Sequence, residues 1–150
     1  MTAKRNAITL AELVVAVVIL GIMSFIAVPR LRYSIIHRKQ ADTVAKQITT
    51  NMRRTRQLAI TNAATNSDGF ELRITGGGYQ IVDLSTGSAI PNGSFTIDSS
   101  VSLSGGTTFK FGPLGNLKTP SDTQMTVSSQ GKSFTITIIP ATGIAKCTEN

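Results

Sequence analysis

Histidine and cysteine occur once each, as His37 and Cys147, and tryptophan is absent. A structural zinc site needs three or four Cys or His ligands, and a Ser or Cys triad needs a histidine oriented by a third group. No metal site and no catalytic residue is therefore expected from this inventory. A single cysteine allows no disulfide within the chain. Two tyrosines and six phenylalanines, scattered through 150 residues, offer no stacking platform for single-stranded nucleic acid. No phosphate loop is present, because Gly76-Gly77-Gly78 lacks a following Lys-Ser/Thr and reads as a turn. No cofactor is implied by any of these patterns.

Apolar residues make up 41% of the chain and charged residues only 15%, with a net charge of +7 and a pI near 10.1. That size suits one domain, or one domain with an appendage. The charge is unevenly placed. Residues 30–62 carry eight bases against Asp42 alone, whereas residues 63–150 hold five bases against six acids. The excess of that one stretch, eight less one, equals the whole chain's +7. A basic balance raises nucleic acid as a partner, but here it belongs to one segment only.

Lys4-Arg5 precede an apolar run from Leu13 to Val28 in which only Gly21 and Ser24 are not strongly apolar. Extended from Ile8 to Pro29, the segment would measure about 33 Å as helix, enough to cross a hydrocarbon core. A removable secretory signal fits less well: a cut after Ala27 would put Phe25 where a small residue is wanted. Glu12 is the only charge between Ile8 and Pro29. A carboxylate in such a setting either reaches interfacial water or has a partner. Pro29 has no N–H to donate and is expected to kink the helix or mark its exit from the membrane, with Gly21 a second weak point.

Ala7, then Ile8-Thr9-Leu10-Ala11-Glu12, then an apolar helix with Gly21 and Pro29, resembles the processing signature of type IV prepilins and type II secretion pseudopilins. Ala7 stands where Gly is usual and Ile8 where Phe is usual. The resemblance implies that a prepilin peptidase removes residues 1–7 and methylates the new amine of Ile8. It further implies that Glu12 neutralises the N-terminal amine of a neighbouring subunit, and that the helix can loosen between Gly21 and Pro29. The implied partners are the peptidase, other pilin or pseudopilin subunits, an inner-membrane assembly platform, and membrane lipid before assembly. The implied location is the inner membrane, crossed once with the head in the periplasm, and then the filament. Arg30, Arg32, Arg38 and Lys39 outnumber the leader's bases, so charge alone would orient the segment the other way.

From Leu31 onward the apolar positions recur at helical spacing through Ile35, Ala41, Val44, Ala45, Ile48, Met52, Thr55, Leu58 and Ala59. Arg38, Lys39, Lys46, Arg53 and Arg56 lie off that stripe as a basic ridge. Four parts follow: a leader at 1–7, a transmembrane or filament-core helix at 8–29, its amphipathic continuation at 30–62, and a β-rich head at 63–150. Twelve of thirteen glycines and four of five prolines fall in the head. There Phe70, Leu72 and Ile74 alternate with polar residues, and Tyr79 to Leu84, Phe95-Ile97, Val101-Leu103 and Phe109-Phe111 follow. Met125-Val127, Phe134-Ile138 and Ile144-Cys147 complete the strands. The expected fold class is α+β, a type IV pilin fold in which a long N-terminal helix, its apolar inner half protruding, packs on an antiparallel β-sheet head.

Met52 to Asn62, Phe109-Lys110-Phe111-Gly112-Pro113-Leu114-Gly115 and Ile136-Thr137-Ile138 ahead of Thr142-Gly143 are similar to the minor pilin and pseudopilin group that includes FimT and GspH. The resemblance implies a structural subunit, not an enzyme. The alternative is a pilus-associated, DNA-binding minor pilin involved in DNA uptake. That reading would rest on Arg53, Arg54 and Arg56, with Lys146 the only base after the last glycine. An anchored enzyme or unrelated membrane protein is a third class, and no carboxylate pair or nucleophile–base set supports it.

Overall fold

The computed structural model describes residues 9–25 and 39–150. Its elements run in the order α1 (Leu10–Thr61), β1 (Phe70–Thr75), β2 (Gly78–Asp83), β3 (Ser88–Thr96), β4 (Ser102–Gly105), β5 (Thr108–Phe111), β6 (Gln124–Ser129), β7 (Lys132–Ile139) and β8 (Ile144–Glu149). The chain divides into two compact units, Met1–Ile36 and His37–Asn150.

The described part of the first unit is the opening of α1. Its large side chains stand in solvent, with Leu10 82% and Phe25 85% exposed and those between them more than half exposed. Apolar residues occupy successive positions, so no polar face forms.

In the second unit α1 is amphipathic. Ala41, Val44, Ala45, Ile48, Met52, Thr55 and Ala59 are buried, at steps of three and four that bring them to one stripe. Polar groups on this stripe are satisfied locally: Thr49 and Thr55 donate to the carbonyls of Ala45 and Asn51 at 2.8 and 2.7 Å. Across the stripe lie Phe70, Leu72, Tyr79, Phe109 and Phe111 from one sheet and Met125, Val127, Phe134, Ile136 and Ile138 from another, in one core. Burial of each large side chain contributes roughly 1.5–3 kcal/mol.

The strands form two antiparallel four-stranded sheets, ordered β3-β2-β1-β5 and β4-β6-β7-β8. The chain therefore changes sheet three times, entering the second with β4, returning with β5 and leaving again with β6. Registers pair Phe70 with Phe111 and Leu72 with both Ile81 and Phe109, which lines the core side of the first sheet. In the second sheet Met125 faces Ile136 and Ile136 faces Cys147. β3 is an edge strand, so Pro91 within it breaks no ladder bond on the open side. The unit has two distinct ends. The Gly76-Gly77 turn and the segment 97–103 lie at the end where α1 enters, since Ser100 Oγ bonds Gln40 Oε1 at 2.9 Å. The loop 112–117 and the turn 140–143 lie at the other end, joined where Leu117 N donates to Pro140 O at 2.9 Å.

Two expectations are corrected. The pilin fold, with a long apolar N-terminal helix packed on one antiparallel sheet, is not what forms. The head has two sheets, and among the described residues the part of α1 that is apolar all round is 10–25. The single-pass inner-membrane placement with a periplasmic head is also overturned: among the described residues no helix is long and apolar enough to cross a membrane. The described apolar part of α1, residues 10–25, rises only about 24 Å, short of a hydrocarbon core of about 30 Å.

Candidate functional site

α1 begins with a reciprocal pair. Glu12 N donates to Thr9 Oγ1 at 3.3 Å, while Thr9 N and Thr9 Oγ1 both donate to Glu12 Oε2 at 3.2 Å. With Leu10 as the first helical residue, Thr9 is the N-cap and Glu12 the third residue of the first turn, which is a capping box. The carboxylate thereby accepts donors that the helix cannot satisfy itself, and it sits at the positive end of the helix dipole. Its charge has a local role as well as the intermolecular one implied by the resemblance. Thr9-x-x-Glu12 is the sequence signal for it. Ala7 and Ile8, the expected processing residues, and Pro29, expected to kink the helix, lie outside the described residues.

Beyond Glu12 the helix offers surface rather than chemistry. Gly21 has open space around it, and Ser24 returns its hydroxyl to Leu20 O at 2.8 Å, leaving that face without a free polar donor to solvate. Such a surface can be covered by other apolar helices, or stay in contact with water at a cost of roughly 25 cal/mol per Å².

The ridge residues are placed differently from one another. Arg56 Nε donates to Gly115 O at 3.1 Å and to Thr142 O at 2.8 Å, and Arg53 Nη2 reaches Ala145 O at 3.4 Å. Arg56 ties α1 to the two loops at the far end of the head, and Arg53 ties it to the start of β8. Arg54 is exposed on another side of the helix, and Lys146 is exposed on β8, facing away from the core side occupied by Ala145 and Cys147. The four bases are thus not gathered into one patch. The tie is close-packed: Gly143 adopts φ +64°, and a Cβ there would stand 1.9 Å from Gly115 O.

Elsewhere the polar groups are structural. Asn66, buried, accepts from the Asp68 and Gly69 amides and donates to Gly69 O and Asp83 Oδ1, fixing the turn into β1. Ser85, donating its hydroxyl and amide to Asp83, holds that carboxyl below its ordinary range. Burial pushes the Tyr79 hydroxyl up, partly opposed by the Asn51 amide that donates to it at 2.8 Å. Glu71 is buried and takes Arg73 Nε at 2.5 Å. Burial likewise raises the Cys147 thiol, which makes it a poor nucleophile near neutrality. Among the described residues no group of three or more His, Cys, Asp or Glu could hold a metal ion.

Residue-by-residue reading missed one surface. Leu114, Ile139 and Ile144 are the large apolar side chains exposed in the second unit, and all three belong to the end where Arg53 and Arg56 are tied down. Each lies in an apolar or turn motif whose exposure no local pattern signals. Compared with family models, curated proteins and solved structures, the chain finds no match in any of the three.

Proposed function

We propose that the chain is a minor pilin or pseudopilin, a structural subunit cut after Ala7, N-methylated on Ile8 and assembled through its N-terminal helix into a type IV pilus or type II secretion pseudopilus. The observation that carries the reading is a helix opening, capped by Thr9 and Glu12, whose apolar side chains from Leu10 to Phe25 remain uncovered. Neighbouring helices of the same kind would cover them, and a carboxylate at the helix start would be positioned to meet a neighbour's amine. Its partners on this reading are a prepilin peptidase, other subunits and the assembly machinery.

DNA uptake has less support, because Arg53 and Arg56 already donate to backbone carbonyls while Arg54 and Lys146 stand apart from them, so the four bases offer no common surface to phosphates. Mass spectrometry of the mature protein tests the main reading. The expected mass lacks residues 1–7 and carries one added methyl on Ile8; a mature protein that retains Met1 would sink it.

A further inference from the structure

Seven asparagines occur in the chain, and Asn92 is the one followed by glycine. It lies in β3, at the edge of the first sheet, where the register is broken. Gln80 pairs with Ser94 and Val82 with Ala89, so residues 90–93 stand opposite Ile81 alone. Asn92 is exposed at φ +55°, a left-handed conformation that asparagine and aspartate tolerate better than most side chains. Among the described residues its side-chain amide has no hydrogen-bond partner. Packing demands the glycine that follows: a Cβ on Gly93 would stand 2.5 Å from Ile90 Cγ1 and 2.9 Å from Ile90 O. The nitrogen next to Asn92 therefore belongs to a residue with no side chain to hinder it.

Comparable positions lack this combination. Asn66 is buried, with its side chain bonded to Gly69 O, Asp83 Oδ1 and two amides. Asn62 donates to Leu58 O, and Asn116 precedes the bulky Leu117. Asp68-Gly69 has the same small neighbour, but there Gly69 N donates to Asn66 Oδ1 at 2.8 Å, which engages the nitrogen.

We infer that Asn92 is a site of self-modification, where the Gly93 nitrogen closes the Asn92 side chain into a succinimide that opens to aspartate and isoaspartate. The Gly93 N–H gives its proton to solvent, and the nitrogen forms a bond to Asn92 Cγ. The bond from Cγ to the amide nitrogen breaks, and that nitrogen leaves with a proton as ammonia. Solvent water then opens the ring, attack at Cγ giving aspartate and attack at the main-chain carbonyl giving isoaspartate. One water is taken up and one ammonia released. The bulge decides the consequence. Both products are carboxylates, so an acid comes to stand on an open sheet edge, where charge disfavours pairing with another strand. Isoaspartate also adds a methylene to the main chain, which residues outside the register can take without breaking the pairs Gln80–Ser94 and Val82–Ala89. The step belongs to the second unit and holds whether or not the chain enters a filament.

Incubation of the full-length protein in heavy-oxygen water at neutral pH tests it. Digestion in ordinary water and peptide mapping that separates aspartate from isoaspartate then read the outcome. Asn92 is expected to convert about tenfold or more faster than Asn66 or Asn116, the effect of a barrier lower by about 1.4 kcal/mol. Each product is expected to carry one heavy oxygen, with isoaspartate among them. The converted chain should keep its circular dichroism and lose one positive charge on isoelectric focusing. Asn92→Gln, whose longer side chain does not close the five-membered ring, should stay unchanged at that residue and abolish the charge shift. A folded chain that keeps Asn92 as long as Asn66 overturns the inference, and loss of Asn92 from the same chain in urea would then show that the fold shields the site. Aspartate without isoaspartate overturns the ring route, and unfolding on conversion overturns the part assigned to the bulge.

Discussion

Glu12 caps the helix and, on the proposed reading, also pairs with a neighbour; one substitution cannot separate the two but two can. Its carboxylate completes a capping box with Thr9, and its charge is the feature expected to pair with a neighbour's amine. Gln retains capping geometry without the charge, and Ala removes both. Glu12→Gln and Glu12→Ala are therefore both expected to lower filament yield on the order of tenfold or more, the scale of one lost charge pair. Normal yield from Glu12→Gln, measured by shearing and pelleting, would leave only the cap. Gly143 makes a second residue-scale case. Gly143→Ala must relieve both a left-handed φ and a backbone oxygen, and thermal or denaturant unfolding should show a loss of about 2 kcal/mol or more. Gly131→Ala, with φ +79° and open space around it, incurs the conformational strain alone and should lose only about 1 kcal/mol.

At the scale of elements, α1 changes character along its length. Before Phe25 it is apolar all round, and beyond Lys39 one stripe is buried while Arg53 and Arg56 reach sideways to the head. Met52, fully buried at the centre of that stripe, should cost about 2–5 kcal/mol when truncated to Ala. Arg54→Gln, on an exposed side of the same helix, should stay within about 0.5 kcal/mol. Urea titrations of the two variants make the comparison, and equal losses would contradict the assignment of the stripe. The stripe was legible because helical periodicity is local. The ties of Arg53 and Arg56 were not, because their acceptors lie 92, 59 and 86 residues away in the chain.

For the whole molecule, each unit meets its apolar surface differently. The second unit has its own core, shared by α1 and both sheets, while the described part of the first leaves its apolar side chains uncovered. A fragment beginning at His37 is expected to unfold in one cooperative transition, followed by circular dichroism. The full chain is expected to require detergent or partner subunits to stay dispersed, read by sedimentation. A noncooperative transition in the fragment would mean that the core depends on residues before His37.

Sequence by itself determined what is local: the helical stripe, the turn glycines, the capping spacing of Thr9 and Glu12, and the inward apolar positions of strands that alternate, although Glu71 is buried between Phe70 and Leu72. Phe70, Leu72 and Phe109 turn inward because alternation places them so. Only the tertiary structure decided which strands pair. Alternation assigns a strand's face but not its neighbour, and β4 and β5 go to different sheets although both are four-residue strands. It also decided that Arg53 and Arg56 hold the head to the helix, and that Leu114, Ile139 and Ile144 gather at one end. Those are long-range contacts, selected by packing the whole core at once rather than by any run of neighbouring residues.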